Sequence, residues 1–205
     1  MPNYCTNYIM VNHQDPKMIG RFMKAYFIKK ELFNEFIPEP ELNDNGRYGN
    51  LYHWCIENWG TTEDVGGEPT DPNENYDNCQ ETYFEQEFDT YWSPPIEFYK
   101  FMEEQLNFQI KAFYVETGND FYGVYENGVD SSNEFSELIK NPNTEICSDL
   151  KMFFENVIGD DWRECMDDFD VSQDEEQEQE QEQEQEQDDD SQFITMSSQY
   201  DILFS

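Results

Sequence analysis

The sequence predicts an α+β fold, an antiparallel sheet with helices packed on one face. Three observations carry this. Several short segments alternate apolar and polar residues, as half-buried strands do. Two segments open with a capping residue followed by proline, as helices do. The strands and helices also come in an order that suits antiparallel neighbours rather than repeated parallel crossovers.

Residues 4–12 are the first predicted strand. Tyr4, Thr6, Tyr8 and Met10 fall on one face, and Cys5, Asn7, Ile9 and Val11 on the other. Asp15-Pro16 opens a helix over about 16–31, whose apolar face is Met18, Ile19, Phe22, Met23, Tyr26 and Phe27. Lys17, Arg21 and Lys24 form a basic stripe opposite that face. A short strand is expected at Phe33–Ile37, ended by the prolines of "PEPE".

Residues 38–81 read as a long irregular insertion in which only 51–59 has helix or strand character. The strand "ETYFEQEFDTYW" follows, with Phe84, Phe88 and Trp92 on one side and Glu85, Glu87 and Asp89 on the other. Ser93, as N-cap, and Pro94 open a second helix with Ile96, Tyr99, Met102 and Leu106 inward. Residues 108–116 and 121–128 form a hairpin through Thr117-Gly118-Asn119-Asp120. A helical region over about 134–158 is interrupted near Asn141-Pro142. This order is βαββαβ with one extra hairpin strand and a C-terminal helix, the ferredoxin-like arrangement.

Charge divides the chain unevenly. The formal net charge is −36, and residues 160–190 supply −16 of it with 17 acids against Arg163. Residues 1–159 form the expected domain and are themselves acidic. Residues 160–190, with their Glu-Gln repeat, read as an extended linker, and 191–205 as a short apolar segment. The 34 aromatic residues are enough to build a core even though only 37% of the chain is apolar.

A body this negative repels phosphate backbones, so direct nucleic-acid binding is disfavoured and a basic protein partner is expected. The same charge suits a mimic of DNA that blocks a host nucleic-acid-binding factor. No apolar run reaches the roughly 20 residues of a membrane span. Five scattered cysteines without a Cys-x-x-Cys pair fit reduced thiols in a cytoplasmic setting. Eighteen asparagines against three arginines match the coding bias of an AT-rich genome.

"MPNYCTN", "FIPEP", "NWGTTEDV", "TYWSPP" and "FYGVYENG" occur in that order. Together they resemble the YubB ferredoxin-like family of small proteins from phages, plasmids and mobile elements. The resemblance covers about residues 1–128 and implies a fold and an origin, with no established activity. The family pattern has tryptophan where Tyr4 stands, and a lysine and a tryptophan where Thr62 and Glu63 stand.

Two readings are open for the shared motifs. In one, Asn3, Asn7, Trp59, Gly60, Thr61, Trp92, Ser93 and Pro94 converge as a ligand, partner or small-enzyme site, with the indoles as stacking surface. In the other, which fold-specific Trp and Gly favour, the tryptophans plug one end of the sheet and Gly60 supplies a left-handed turn. The substitutions at Thr62 and Glu63 weaken an anion or stacking site.

Asp71, Asn73, Asn75 and Asp77 alternate like the start of a calcium loop. Tyr76 stands where glycine is needed and Thr82 where glutamate is, so a solvated loop is the better reading. His13 and His53 have no spacing that enforces a Cys–His pair with Cys5 or Cys55. No motif implies a catalytic residue, a cofactor or an oligomeric state.

Overall fold

The computed structural model describes residues 3–40, 48–69, 75–141, 144–159 and 162. The chain divides into a unit spanning Met1–Asp160 and one spanning Asp161–Ser205, and the architecture below is that of the first unit. Of the expected linker and C-terminal segment only Trp162 is described, and Asp71 and Asn73 of the calcium-like loop also lie outside the described residues.

Five strands make one antiparallel sheet in the order β2-β1-β3-β4-β5. They are β1 (Tyr4–Asn12), β2 (Tyr83–Tyr91), β3 (Gln109–Glu116), β4 (Phe121–Glu126) and β5 (Val129–Glu134). The class is therefore α+β. The alternation in β1 decides its faces: Cys5, Asn7, Ile9 and Val11 are buried under helices. Ile9 sits opposite Ala112, and Val11 opposite Ile110, so the apolar rows of β1 and β3 join across the pairing.

Helix α1 (Pro16–Lys24) starts as its sequence dictates, with the Asp15 carboxylate accepting the Lys17 amide. It continues as a single wide π turn over Ala25–Lys29 and stops at Lys30, which is left-handed at φ 59°. Ile19, Phe22, Tyr26 and Phe27 are buried in the core.

The segment expected as a strand at Phe33–Ile37 is instead helix α2 (Leu32–Phe36). Leu32, Phe33 and Phe36 recur at helical spacing and are all buried, so one turn of helix hides three side chains where a strand would hide alternate ones. This replaces the second strand of the βαββαβ pattern. Helix α3 (Tyr48–Trp59) lies in the expected irregular insertion and contributes Cys55 and Trp59 to the core.

Helix α4 (Ile96–Leu106) begins after Pro95, two residues later than expected. Ser93 does not cap it, because its hydroxyl donates to the Gly60 carbonyl at 2.6 Å. Strands β2 and β3 flank β1 and are joined through α4. The β3–β4 hairpin forms as expected, and a further strand, β5, follows from a left-handed Asn127-Gly128 turn.

The helices occupy both faces of the sheet, not one. α1 to α4 cover the face of Ile9, Val11 and Ala112. On the opposite face lie α5 (Phe135–Lys140) and α6 (Ser148–Val157). Phe153 of α6 meets Tyr8 and Phe113, and Phe154 meets Tyr122 and Phe135. Tyr8 of β1 and Phe113 of β3 need this cover; Glu85, Glu87 and Asp89 of β2 are exposed and stay in water.

Candidate functional site

The expected site residues are linked by hydrogen bonds. The Trp59 indole N–H donates to the Ile37 carbonyl at 3.0 Å, and its ring, fully buried, packs on Phe33 and Trp54. Gly60 ends α3 at φ +89°, and a Cβ there would lie 2.8 Å from the Ile96 amide nitrogen. The Thr61 hydroxyl donates to the Tyr91 carbonyl at 3.0 Å. Asn7 is buried, with Nδ2 donating to the Cys5 carbonyl and to Thr90 Oγ1. Thr90 in turn donates to the Ser93 carbonyl. Asn3 accepts the Trp92 amide at 3.0 Å. Pro94 is buried and its carbonyl accepts the Ile96 amide.

These bonds latch the end of α3 to the exit of β2. Trp59, Asn7 and Thr61 have no exposed surface. Trp92 is different: it is 43% exposed and left-handed at φ 69°. Neither burial nor backbone preference favours tryptophan there. Beside the latch, Gly60, Ser93, Pro94, Tyr114 and Asp130 line an open cleft of about 340 Å³. The Tyr114 hydroxyl donates to Asp130 Oδ1 across it at 2.6 Å. Burial first, then Asp130, push the Tyr114 hydroxyl far up, so it is a donor and not a base.

The loop after Gly60 has a structural task of its own. The Asp64 carboxylate accepts the Phe33, Asn34 and Val65 amides, which caps α2 from outside its own segment. Burial lifts this carboxyl to about 6, although the three N–H donors favour its ionised form. The Val65 carbonyl accepts the Leu32 amide, and the Gly67 amide donates to the Tyr26 carbonyl in the π turn. A Cβ on Gly66 would sit 2.4 Å from Lys30 Cα. Sequence reasoning missed Asp64; its signal was an acid between two loop motifs, which no local pattern ties to a helix thirty residues earlier.

The two buried thiols, Cys5 and Cys55, are held protonated. Burial, then Glu116, drive the Cys5 thiol far up, and burial, then Glu39 and Asp64, take Cys55 to about 11. His13 sits at the far end of β1 from Cys5, bonded to the Leu106 carbonyl through Nε2. Asn75 accepts the Asp77 amide, and Asp77 pairs with Lys24 at 2.8 Å, so both have local partners. Among the described residues no cluster of three His, Cys, Asp or Glu could hold a metal.

Charge is distributed with a clear asymmetry. Of the nine described cations, all but Lys17 are ion-paired within the chain. Glu35 holds Arg21 and Lys29, so the basic stripe is largely neutralised by its own domain. The exposed row Glu85, Glu87 and Asp89 on β2 has no cation against it among the described residues. Burial and the neighbouring Asp89 raise the Glu87 carboxyl. No helix among the described residues is long and apolar enough to cross a membrane. Comparison with family models, curated proteins and solved structures finds no match.

Proposed function

We propose that this chain is a binding protein for a basic protein partner, engaged through its acidic surface. The observation that carries the reading is the unpaired carboxylate row of β2, set beside cations that are already ion-paired inside the domain. Such a row attracts a cationic surface and repels a phosphate backbone. The resemblance to YubB-type proteins, with a phage or mobile-element origin and action inside a host cell, belongs to the same proposal. It rests on five motifs in order.

The test is titration of a lysine-rich peptide and of a DNA duplex by fluorescence anisotropy at several salt concentrations. The peptide is expected to bind with affinity that falls steeply as salt rises, and the duplex not to bind. Replacing Glu85, Glu87 and Asp89 by Gln, Gln and Asn should weaken the peptide about tenfold. Unchanged affinity in that variant, or binding of the duplex, would overturn the reading. A natural basic partner that is released by free duplex would assign the chain as a DNA mimic.

A further inference from the structure

Strand β2 is the edge of the sheet. Its phase against β1 is set by the Trp92 amide donating to Asn3 and the His13 amide donating to Thr82. Antiparallel pairing alternates, so even-numbered residues of β2 bond β1, and Tyr83, Glu85, Glu87, Asp89 and Tyr91 aim their N–H and C=O groups away from the sheet.

Two of the outward carbonyls are already occupied. Glu87 accepts the Tyr26 hydroxyl and Gln86 Nε2, and Tyr91 accepts Thr61 Oγ1 and the Ser93 amide. Between them the N–H and C=O of Asp89 have no partner among the described residues. They open into a groove of about 310 Å³, with Phe88–Tyr91 as one wall and Glu63–Gly66 as the other. The Gly66 and Gly67 contacts with Tyr26 of the π turn and with Lys30 hold that second wall in place.

We propose that this groove receives an extended segment of a basic partner, added to β2 as a sixth strand. The inference rests on the basic-partner reading and gives it a mode of binding. An added strand lies about 4.8 Å from β2. Its alternate side chains would stand over Glu85, Glu87 and Asp89 with Cβ atoms about 5 Å apart, so they should be lysine or arginine. The intervening side chains would face Tyr26 and Val65, which suits apolar residues. Backbone bonds to Asp89 then supply direction, and the carboxylates supply selectivity. A second copy of this chain is the wrong occupant, because β2 against β2 sets these acids against one another.

The probe is a blocked heptapeptide alternating lysine and valine, compared with the same peptide methylated at its lysine amides. Binding is measured by anisotropy to the full chain, and amide hydrogen exchange is followed at Asp89. The unmethylated peptide should bind about tenfold tighter, the worth of one or two hydrogen bonds, and should slow Asp89 exchange. Asp89→Pro removes an outward donor and the carboxylate but no ladder bond, so it should bind about tenfold more weakly than Asp89→Asn, which removes the carboxylate alone. Equal binding of both peptides with Asp89 unprotected would overturn strand addition and leave charge-driven binding standing. Binding of neither peptide would overturn both. Should Asp89→Pro unfold, the methylated peptide and the exchange data decide alone.

Discussion

Trp59 lies between Phe33, Trp54 and the Ile37 carbonyl, so its removal acts on packing and on a part-buried acceptor at once. Trp59→Ala should destabilise by about 3–5 kcal/mol. Trp59→Phe keeps ring contact but orphans the carbonyl and should cost at least about 1 kcal/mol in urea unfolding; no change would show the indole N–H to be idle. Trp92 should behave oppositely. Asn tolerates its left-handed backbone, so Trp92→Asn should hold or raise stability by up to about 1 kcal/mol. A clear loss would mean the exposed indole packs more than its surface suggests.

Asp64 makes stability depend on pH. Its folded carboxyl titrates near 6 and its unfolded one near the ordinary aspartate value, so the folded state binds the extra proton between about 4 and 6. Stability therefore falls as pH rises through that window and is flat above it, by at most about 3 kcal/mol. Glu35 acts the other way: burial raises it, but Lys29 and Arg21 outweigh burial and lower it. Its contribution is lost only as pH falls below the ordinary glutamate range. Urea midpoints from pH 4 to 7 should thus decline, and Asp64→Asn should flatten the decline. An equally steep slope in that variant would remove Asp64 as its source.

Among the elements, the loop from Gly60 to Gly67 does the joining. It caps α2 through Asp64 and satisfies the Tyr26 carbonyl of the π turn through Gly67. Gly66→Ala puts a methyl against Lys30 backbone, with no flexible side chain to yield, and should cost about 1–3 kcal/mol. A neutral effect by thermal unfolding would show the loop free to lift.

Strands β1 to β4 were legible because each has an alternating period in its own sequence, and α1 because it has a helical period and a cap. Helix α2 was not. Five residues cannot nucleate a helix alone, and Asp64 and the Phe98 ring that complete it come from distant segments. β5 was missed for a related reason: "VDSSNE" is exposed throughout, so no alternation marks it. Only Asn127-Gly128 announced its hairpin.

At the scale of the whole molecule, net charge outweighs individual ion pairs. The eight pairs among the described residues are at least partly exposed, worth about 0–1 kcal/mol each. A formal charge of −36 repels itself over the whole chain. Raising ionic strength from about 0.01 to 0.15 M shortens the screening length from about 30 to 8 Å. The melting temperature should therefore rise with salt. A fall would mean that the pairs, and not the repulsion, dominate.

The sequence alone determined the strand faces, the start of α1, the first hairpin and the acidic character, because each is written in neighbouring residues. It also brought Asn7, Trp59, Thr61 and Ser93 under suspicion together. Only tertiary structure decided which partners their polar groups take, since these lie far off in sequence: Thr61 bonds the Tyr91 carbonyl thirty residues away, and Ser93 the Gly60 carbonyl. It decided too that α6 covers the second face, and that β2 is left as an edge. Those outcomes depend on which surfaces remain unburied once the local elements have formed, and no single segment carries that information.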